Sequence, residues 1–393
     1  MKQPDLLIVG GGLIGLGIGW EVARSGMEVV LVERDGPEER PNCASWAAAG
    51  MLAPAAETGF QEEPQLALAQ ASLALYPEWS AEVEAAAGAG VDYRTEGTLI
   101  VALDQDDVAW LDRVARTQKA LGLDPVRIRG AEAREIEPHL SPSITTALVA
   151  AGDHQVDNRR LWRALRTAFA RAGGTLRPGM TATRIAHEGG RATGIRARPT
   201  AEPEAEEEFL PAARTLVCAG SWTRELLSAG VPSSLTPPIR PVKGQILSLE
   251  MSELLTLRHV IRTRRVYLAP KSEGRLVVGA TSEEQGFDRR LTAGAVLTLL
   301  RDAWETAPGI YDLPVREMWT GLRPAARDNA PVLGRTALDG LFLATGHYRN
   351  GVLLTPITAR SMRDLLVDGV TSELIRPFTP TRFTQPRKTQ EIR

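Results

Sequence analysis

The chain has 393 residues, 43% hydrophobic and 24% charged, with 46 basic side chains against 48 acidic ones and a formal net charge of −2. That length accommodates two domains at roughly 100–200 residues each, and the near-neutral balance excludes the basic footprint of a nucleic-acid or anionic-membrane binder. The two cysteines, Cys43 and Cys218, have no metal-ligand or redox spacing, which excludes a disulfide framework and fits a reducing, cytoplasmic setting.

The first element is the most informative. Asp5-Leu6-Leu7-Ile8-Val9 reads as a strand, Gly10-Gly11-Gly12-Leu13-Ile14-Gly15 as a glycine turn, and Ile14–Ser25 as a helix closed by Gly26. A second strand, Val29–Val32, ends in Glu33. Strand, turn, helix, strand and terminal acid, spaced by about 20 residues, form a dinucleotide-binding βαβ unit. Gly10 permits the tight turn, Gly12 lets backbone approach a pyrophosphate, and Gly15 lets the helix pack on the strand. Glu33 can accept hydrogen bonds from a ribose. The motif alone leaves NAD and FAD open. Leu6–Trp20 is too short for a membrane helix at about 20 residues and runs straight into this turn.

Further along, residues 42–58 are rich in alanine and glycine, which suits close approach to a flat ligand or a tightly packed helix start. A helix pair is predicted over Glu63–Ala87, a strand or hairpin over Arg94–Leu103, and amphipathic helices over Asp106–Leu121 and Asn158–Ala172. Strand-like alternation follows at Met180–Arg198 and Arg214–Ala219, with the acidic run Glu202–Glu208 as a solvated hairpin tip rather than a metal site. Cys218 in its apolar run reads as a buried thiol. Strands are predicted at Gly244–Glu250, Arg265–Ala269, Arg275–Ala280 and Leu341–Ala344. Helices are predicted over Ala293–Ala307 and from about Val352 to Val367, closing at Gly369. Lysine occurs only at positions 2, 119, 243, 271 and 388, so the basic residues are overwhelmingly arginine. A lone arginine therefore carries little functional weight.

Five segments change that weight: Ala47-Ala48-Ala49-Gly50-Met51-Leu52, Cys218-Ala219-Gly220-Ser221-Trp222, Pro241-Val242-Lys243-Gly244-Gln245, Gly321-Leu322-Arg323-Pro324 and Thr345-Gly346-His347-Tyr348-Arg349-Asn350-Gly351. Together with the glycine turn, and in this order from Asp5 to about Asp368, they resemble the D-amino-acid-oxidase-like family of FAD-dependent amine oxidases. Tyr267–Lys271, Gly274–Thr281 and His347–Gly351 are similar to its glycine-oxidase branch, which serves thiazole (thiamin) synthesis.

The resemblance implies an α/β fold: a Rossmann-like FAD-binding domain (1–88, 153–228 and 320–393) interwoven with an α+β substrate-binding domain on an antiparallel sheet (89–152 and 229–319). It implies FAD-dependent oxidative deamination of glycine, sarcosine or small D-amino acids by hydride transfer to flavin N5, with O2 reduced to H2O2. Arg323 would clamp the substrate carboxylate, a role suited to its planar fork, with Tyr267 on the same carboxylate and Arg349 near the substrate. By the same resemblance Leu13, Ile14, Glu33 and Arg34 serve the adenosine end, and Ala44, Ser45, Ala49, Gly50 and Met51 the ring and phosphates, Met51 also facing substrate. Ala182 takes the strand position beside adenine. Ala219, Gly220, His347, Tyr348, Arg349, Asn350, Gly351, Val352 and Leu353 complete the cofactor set.

A helix N-terminus after Gly351 would place partial positive charge by the flavin pyrimidine end, and His347 is weighed as a packing or backbone residue ahead of a general base. With no cysteine in the Arg323 or Arg349 segments, FAD is expected to be noncovalent. After the Gly-Ala-Thr run this chain has Ser282 where a member of the family it resembles has a pocket-lining methionine, so size preference is open. The expected partners are a small amine and O2, with no nucleic acid, membrane or metal, in a homo-oligomer that family resemblance makes a tetramer. The alternative is an FAD-dependent D-amino-acid or sarcosine dehydrogenase or oxidase with a different acceptor or substrate. A flavin scaffold without turnover and an NAD-linked, colourless dehydrogenase complete the readings weighed.

Overall fold

The computed structural model describes residues 3–36, 42–56, 63–253 and 255–383. By contacts the chain forms two compact units: Met1–Cys43, Leu165–Pro241 and Arg323–Arg393 in one, Ala44–Ala164 and Val242–Leu322 in the other.

The first unit is built on a six-stranded sheet in the order Val332–Arg335, Leu341–Thr345, Thr215–Val217, Leu6–Val9, Val29–Val32 and Thr175–Arg177. All neighbours are parallel except the antiparallel edge pair Val332–Arg335 with Leu341–Thr345. Continuous apolar runs are what such strands need when both faces are covered, and Leu6, Ile8, Leu31 and Leu343 are fully buried. The Leu13–Arg24 helix ends at Ser25, with Gly26 left-handed at φ 90°, as the sequence predicted. A second sheet has three antiparallel strands, Met180–Glu188, Arg191–Pro199 and Glu208–Pro211. The acidic run forms the turn before the last of these, where Glu207 and Glu208 pair with Arg184 and Arg177 at 3.2 and 3.0 Å.

The second unit carries an eight-stranded sheet whose centre runs through Arg240–Glu250, Arg275–Gly279, Tyr267–Pro270, Val260–Arg262, Thr98–Ala102 and Thr146–Ala150. From Arg240–Glu250 to Thr146–Ala150 these neighbours pair antiparallel, apart from the parallel contact of Val260–Arg262 with Thr98–Ala102. Leu99, Val101, Leu268, Leu276 and Val278 pack beneath it against Leu299 and Ala303 of the Ala293–Thr306 helix.

Three features differ from the sequence reading. Residues 44–88, 153–164 and 320–322 group with the sheet-rich unit and 229–241 with the first. One cause is local: Met51–Leu52 pairs antiparallel with His154–Gln155. Glu63–Ala87 is one helix rather than a pair, running through Pro77. Proline removes a helix hydrogen bond, but fully buried Tyr76 and Trp79 anchor the chain on both sides of it. The C-terminal helix starts at Thr355, not near Val352, because Gly351–Leu354 forms a turn in which Leu354 N–H donates to Asn350 O at 2.8 Å. Residues 57 and 58 of the alanine-rich stretch lie outside the described residues. No helix among the described residues is long and apolar enough to cross a membrane.

Candidate active site

The nucleotide end is set by backbone collisions. Gly10 lies at φ 110°, and a Cβ there would meet Cys218 O at 2.5 Å; at Gly15 a Cβ would meet Gly10 O at 2.0 Å. Neither neighbour is a side chain that can rotate away. Gly12 is the extended N-cap of the Leu13–Arg24 helix, whose first turn holds no acidic residue, so the partial positive charge of the helix start faces the turn. Glu33 Oε2 accepts from Gly11 N–H at 2.5 Å and Oε1 from Asp35 N–H at 3.1 Å. Burial raises the Glu33 carboxyl above its usual range, against these backbone bonds. The carboxylate therefore braces the turn, a role the motif did not announce, and keeps lone pairs for ribose hydroxyls. A glycine cradle closed to any Cβ, a helix start and a second-strand carboxylate fit the adenosine and pyrophosphate of FAD.

Around this cradle, Arg34 lies over the Trp222 ring at 3.6 Å. Ala182 sits half-buried on Met180–Glu188 opposite Ala197. Gly220 O accepts from Thr223 Oγ1 at 2.8 Å and from Thr345 Oγ1 at 3.3 Å. This threonine pair ties the loop after Thr215–Val217 to the end of Leu341–Thr345, and nothing in the sequence pattern singled it out. Buried Cys218 has its thiol pushed up by desolvation.

Arg323 and Arg349 lie on hydrogen-bonded neighbours within the first unit. Arg323 is near the end of the Val315–Ala325 strand. Tyr348 N–H donates to Pro324 O at 2.9 Å, and Ala325 bridges to His347. Tyr348 is held at φ 49°, a left-handed conformation that a bulky residue adopts only under constraint, and Arg349 lies over its ring at 5.4 Å. His347 is 3% exposed and its Nε2 lies 3.2 Å from Thr358 Oγ1. Burial drives its pKa down to about 3, so the ring is neutral and serves packing. The later start of the helix moves the expected positive helix end away from His347 to Thr355.

Tyr267, Met51 and the Ala44–Gly50 stretch belong to the second unit. Tyr267 is buried among Ala47, Ala49, Ile246 and Trp319, with Met51 at the edge. It pairs across the sheet with Gly279, where a Cβ would stand 2.4 Å from Tyr267 Oη and 2.6 Å from Cζ. The tyrosine ring thus lies across its glycine partner.

The Ala44–Met51 segment is clamped from several directions. Asn158 Nδ2 donates to Ser45 O and Trp46 O at 2.7 and 3.1 Å, and Trp319 Nε1 to Ala47 O at 3.0 Å. A Cβ on Gly50 would meet Val156 O at 2.0 Å. Lys271, 1% exposed, donates from Nζ to Gln155 Oε1 at 3.1 Å and Val156 O at 3.0 Å, and desolvation lowers its pKa to about 7. Asn158 and Trp319 were not singled out from the sequence, and Lys271 stood there only as the end of the Tyr267–Lys271 segment and as a rare lysine in an arginine-rich chain. Ser282 is exposed. No group of three or more potential metal-ligating side chains occurs among the described residues.

The family model for FAD dependent oxidoreductases, DAO, matches residues 5–365. The chain is 32% identical over 389 residues to the bifunctional protein ThiO/ThiG of Trichormus variabilis, covering 98% of this chain and 56% of that protein, so it spans about half the length of that relative. It is 32% identical over 382 residues to the glycine oxidase of Geobacillus kaustophilus, covering 96% of this chain and 97% of that one. The crystal structure of the Geobacillus kaustophilus enzyme matches with a TM-score of 0.87 over 97% of this chain and 99% of that chain. The Rossmann-like nucleotide unit and the sheet-rich unit agree with these matches, and the chain belongs to the DAO family of FAD-dependent oxidoreductases.

Proposed function

We propose that the protein oxidatively deaminates glycine and similarly small amines such as sarcosine and small D-amino acids. Glycine, O2 and water would yield glyoxylate, ammonia and H2O2. The observation that carries this reading is full-length likeness to a glycine oxidase, at 32% identity and a TM-score of 0.87, in a chain whose sequence carries Tyr267, Arg323 and Arg349.

FAD, bound noncovalently, supplies the hydride acceptor for the substrate Cα–H bond. Arg323 holds the substrate carboxylate through two parallel N–H donors, and the Tyr267 hydroxyl donates to the same carboxylate. Arg349 adds a second positive charge on the substrate side, and Met51 walls the pocket. His347 takes no proton in this scheme; its ring stays neutral and holds the loop. The amine reacts as the free base and needs no protein base to remain so. Gly10, Gly12, Leu13, Ile14, Gly15, Glu33 and Arg34 hold the adenosine half of FAD, with Ala182, Ala219 and Gly220. Ala44, Ser45, Ala49, Gly50, Met51 and the run from His347 to Leu353 hold the ring half. The protein would act in the cytoplasm as a homotetramer and supply the glycine-derived imine for thiazole synthesis.

The test is aerobic turnover of a panel of glycine, sarcosine, N-ethylglycine and D-alanine. H2O2 and keto-acid release are measured beside reduction of an artificial dye. Equal yields of keto acid and H2O2 with glycine are expected. Dye reduction without H2O2 would instead make the protein a dehydrogenase.

A further inference from the structure

A cavity of about 310 Å³ in the second unit has no part in the amine chemistry above. Four arginines, Arg159, Arg163, Arg275 and Arg316, line it with three carboxylates, Asp157, Glu273 and Glu317. Arg159 pairs with Glu317. Arg275 pairs through Nη2 with Asp157 and through Nε with Glu273 at 2.8 Å. A further cation leans on the same carboxylates: Arg160 on Glu273 at 3.3 Å. Positive charge therefore outnumbers negative around the cavity, and Arg275 and Asp157 are at most 3% exposed.

The hydrogen-bond count points the same way. Arg275 Nη1 is buried and has no acceptor, and neither has the buried indole N–H of Trp46. Trp46 lies beside the cavity, its ring flanked by Arg159 and Arg163 at 5.1 and 4.8 Å. Buried donors without acceptors are rare and call for a missing partner. The start of the Asn158–Arg171 helix is not the attraction, because Asp157 already accepts from Arg159 N–H and Arg160 N–H at 2.9 and 3.0 Å. What the site lacks is an acceptor that carries negative charge.

The geometry points to an anion site for a phosphate group borne by a small metabolite. A phosphate offers three peripheral oxygens and can meet several guanidinium forks at once. The volume lies at the lower end of small-molecule sites, about 300 Å³, and leaves room for an organic remainder. This site stands or falls independently of the amine that the enzyme oxidises.

The test is calorimetric titration of the FAD-loaded protein, in low-salt buffer free of phosphate and sulfate, with inorganic phosphate and with glycerol 2-phosphate. One saturable site is expected for both probes, tighter for the ester if the remainder is also read. Arg316 is the probe residue because its side chain is 46% exposed and it has no role in amine oxidation. Arg316→Glu should weaken binding at least tenfold and leave glycine turnover unchanged, and Arg316→Lys should weaken it less than threefold. Arg323→Ala should leave phosphate binding intact. Absence of saturable binding, equal affinity in Arg316→Glu, or loss of binding in Arg323→Ala would each overturn the proposal; the last would put the anion at the amine site.

Discussion

Two glycines, Gly15 in the nucleotide turn and Gly279 in the sheet-rich unit, are both closed to a side chain, but for different reasons. A Cβ on Gly15 would strike the Gly10 carbonyl oxygen at 2.0 Å, whereas one on Gly279 would strike Tyr267 Oη at 2.4 Å. A carbonyl fixed between strand and helix has nowhere to go. A tyrosine ring can tilt. The first position therefore governs whether a cofactor cradle exists at all, and the second governs where one hydroxyl points.

The comparison is most easily broken at the first position. Gly15→Ala should cost the protein most of its FAD, read as a fall of at least tenfold in the ratio of bound flavin to protein, because the collision must be relieved by moving backbone. Retention of full flavin would show that the turn relaxes more freely than its geometry allows. Next in size is Arg323→Ala, which should lower kcat/KM for glycine by about 10²–10³-fold while leaving flavin content unchanged. Those magnitudes correspond to losing a bidentate charged contact.

A smaller effect is expected at the second glycine. Gly279→Ala should raise KM for glycine about tenfold with normal flavin content, since only the tyrosine must shift. Combining it with Tyr267→Leu gives the sharper result. With no ring to displace, the alanine should add nothing, whereas an unchanged cost would place its effect in the strands instead.

The smallest effect concerns stability rather than turnover. His347 keeps its ring neutral with a pKa lowered to about 3 by burial, while an unfolded histidine takes a proton near pH 6.5. Between those values the unfolded chain binds the extra proton. Stability should therefore fall as pH drops through this window, by about 1.4 kcal/mol per pH unit from this group, and the contribution is absent above about pH 7. Urea titrations of wild type and His347→Asn at pH 5 and 7.5 measure it, with the variant expected to show the shallower acid slope.

The same contrast explains what could be read from the sequence. Recognition by backbone leaves a regular trace: the glycine turn, the two flanking strands and the Leu13–Arg24 helix follow from spacing and apolar runs. The broad two-part architecture was legible for the same reason, with strand-rich stretches interrupting the nucleotide fold. Recognition by side chains leaves little trace. The seat of Tyr267 on Gly279 depends on a cross-strand register, and the clamp of Asn158 and Trp319 on residues 45–47 joins positions more than a hundred residues apart. Local rules also failed where burial overruled them, as at Pro77 inside the Glu63–Ala87 helix. The family resemblance puts residues 44–88 in the nucleotide domain, whereas by contacts Ala44–Ala164 group with the other unit. A motif reports which ligand a segment suits, and packing decides which body carries it.

In the proposed reaction this FAD-dependent protein takes a hydride from a small amino acid whose carboxylate Arg323 holds. The direct measurement is anaerobic mixing of the purified yellow protein with glycine, following flavin absorbance in the stopped flow. Full bleaching by glycine or sarcosine, saturable in the native protein and slowed at least a hundredfold in Arg323→Ala, is the predicted result. A flavin that stays oxidised with every amine of the panel, or one that bleaches equally fast in Arg323→Ala, would contradict the account.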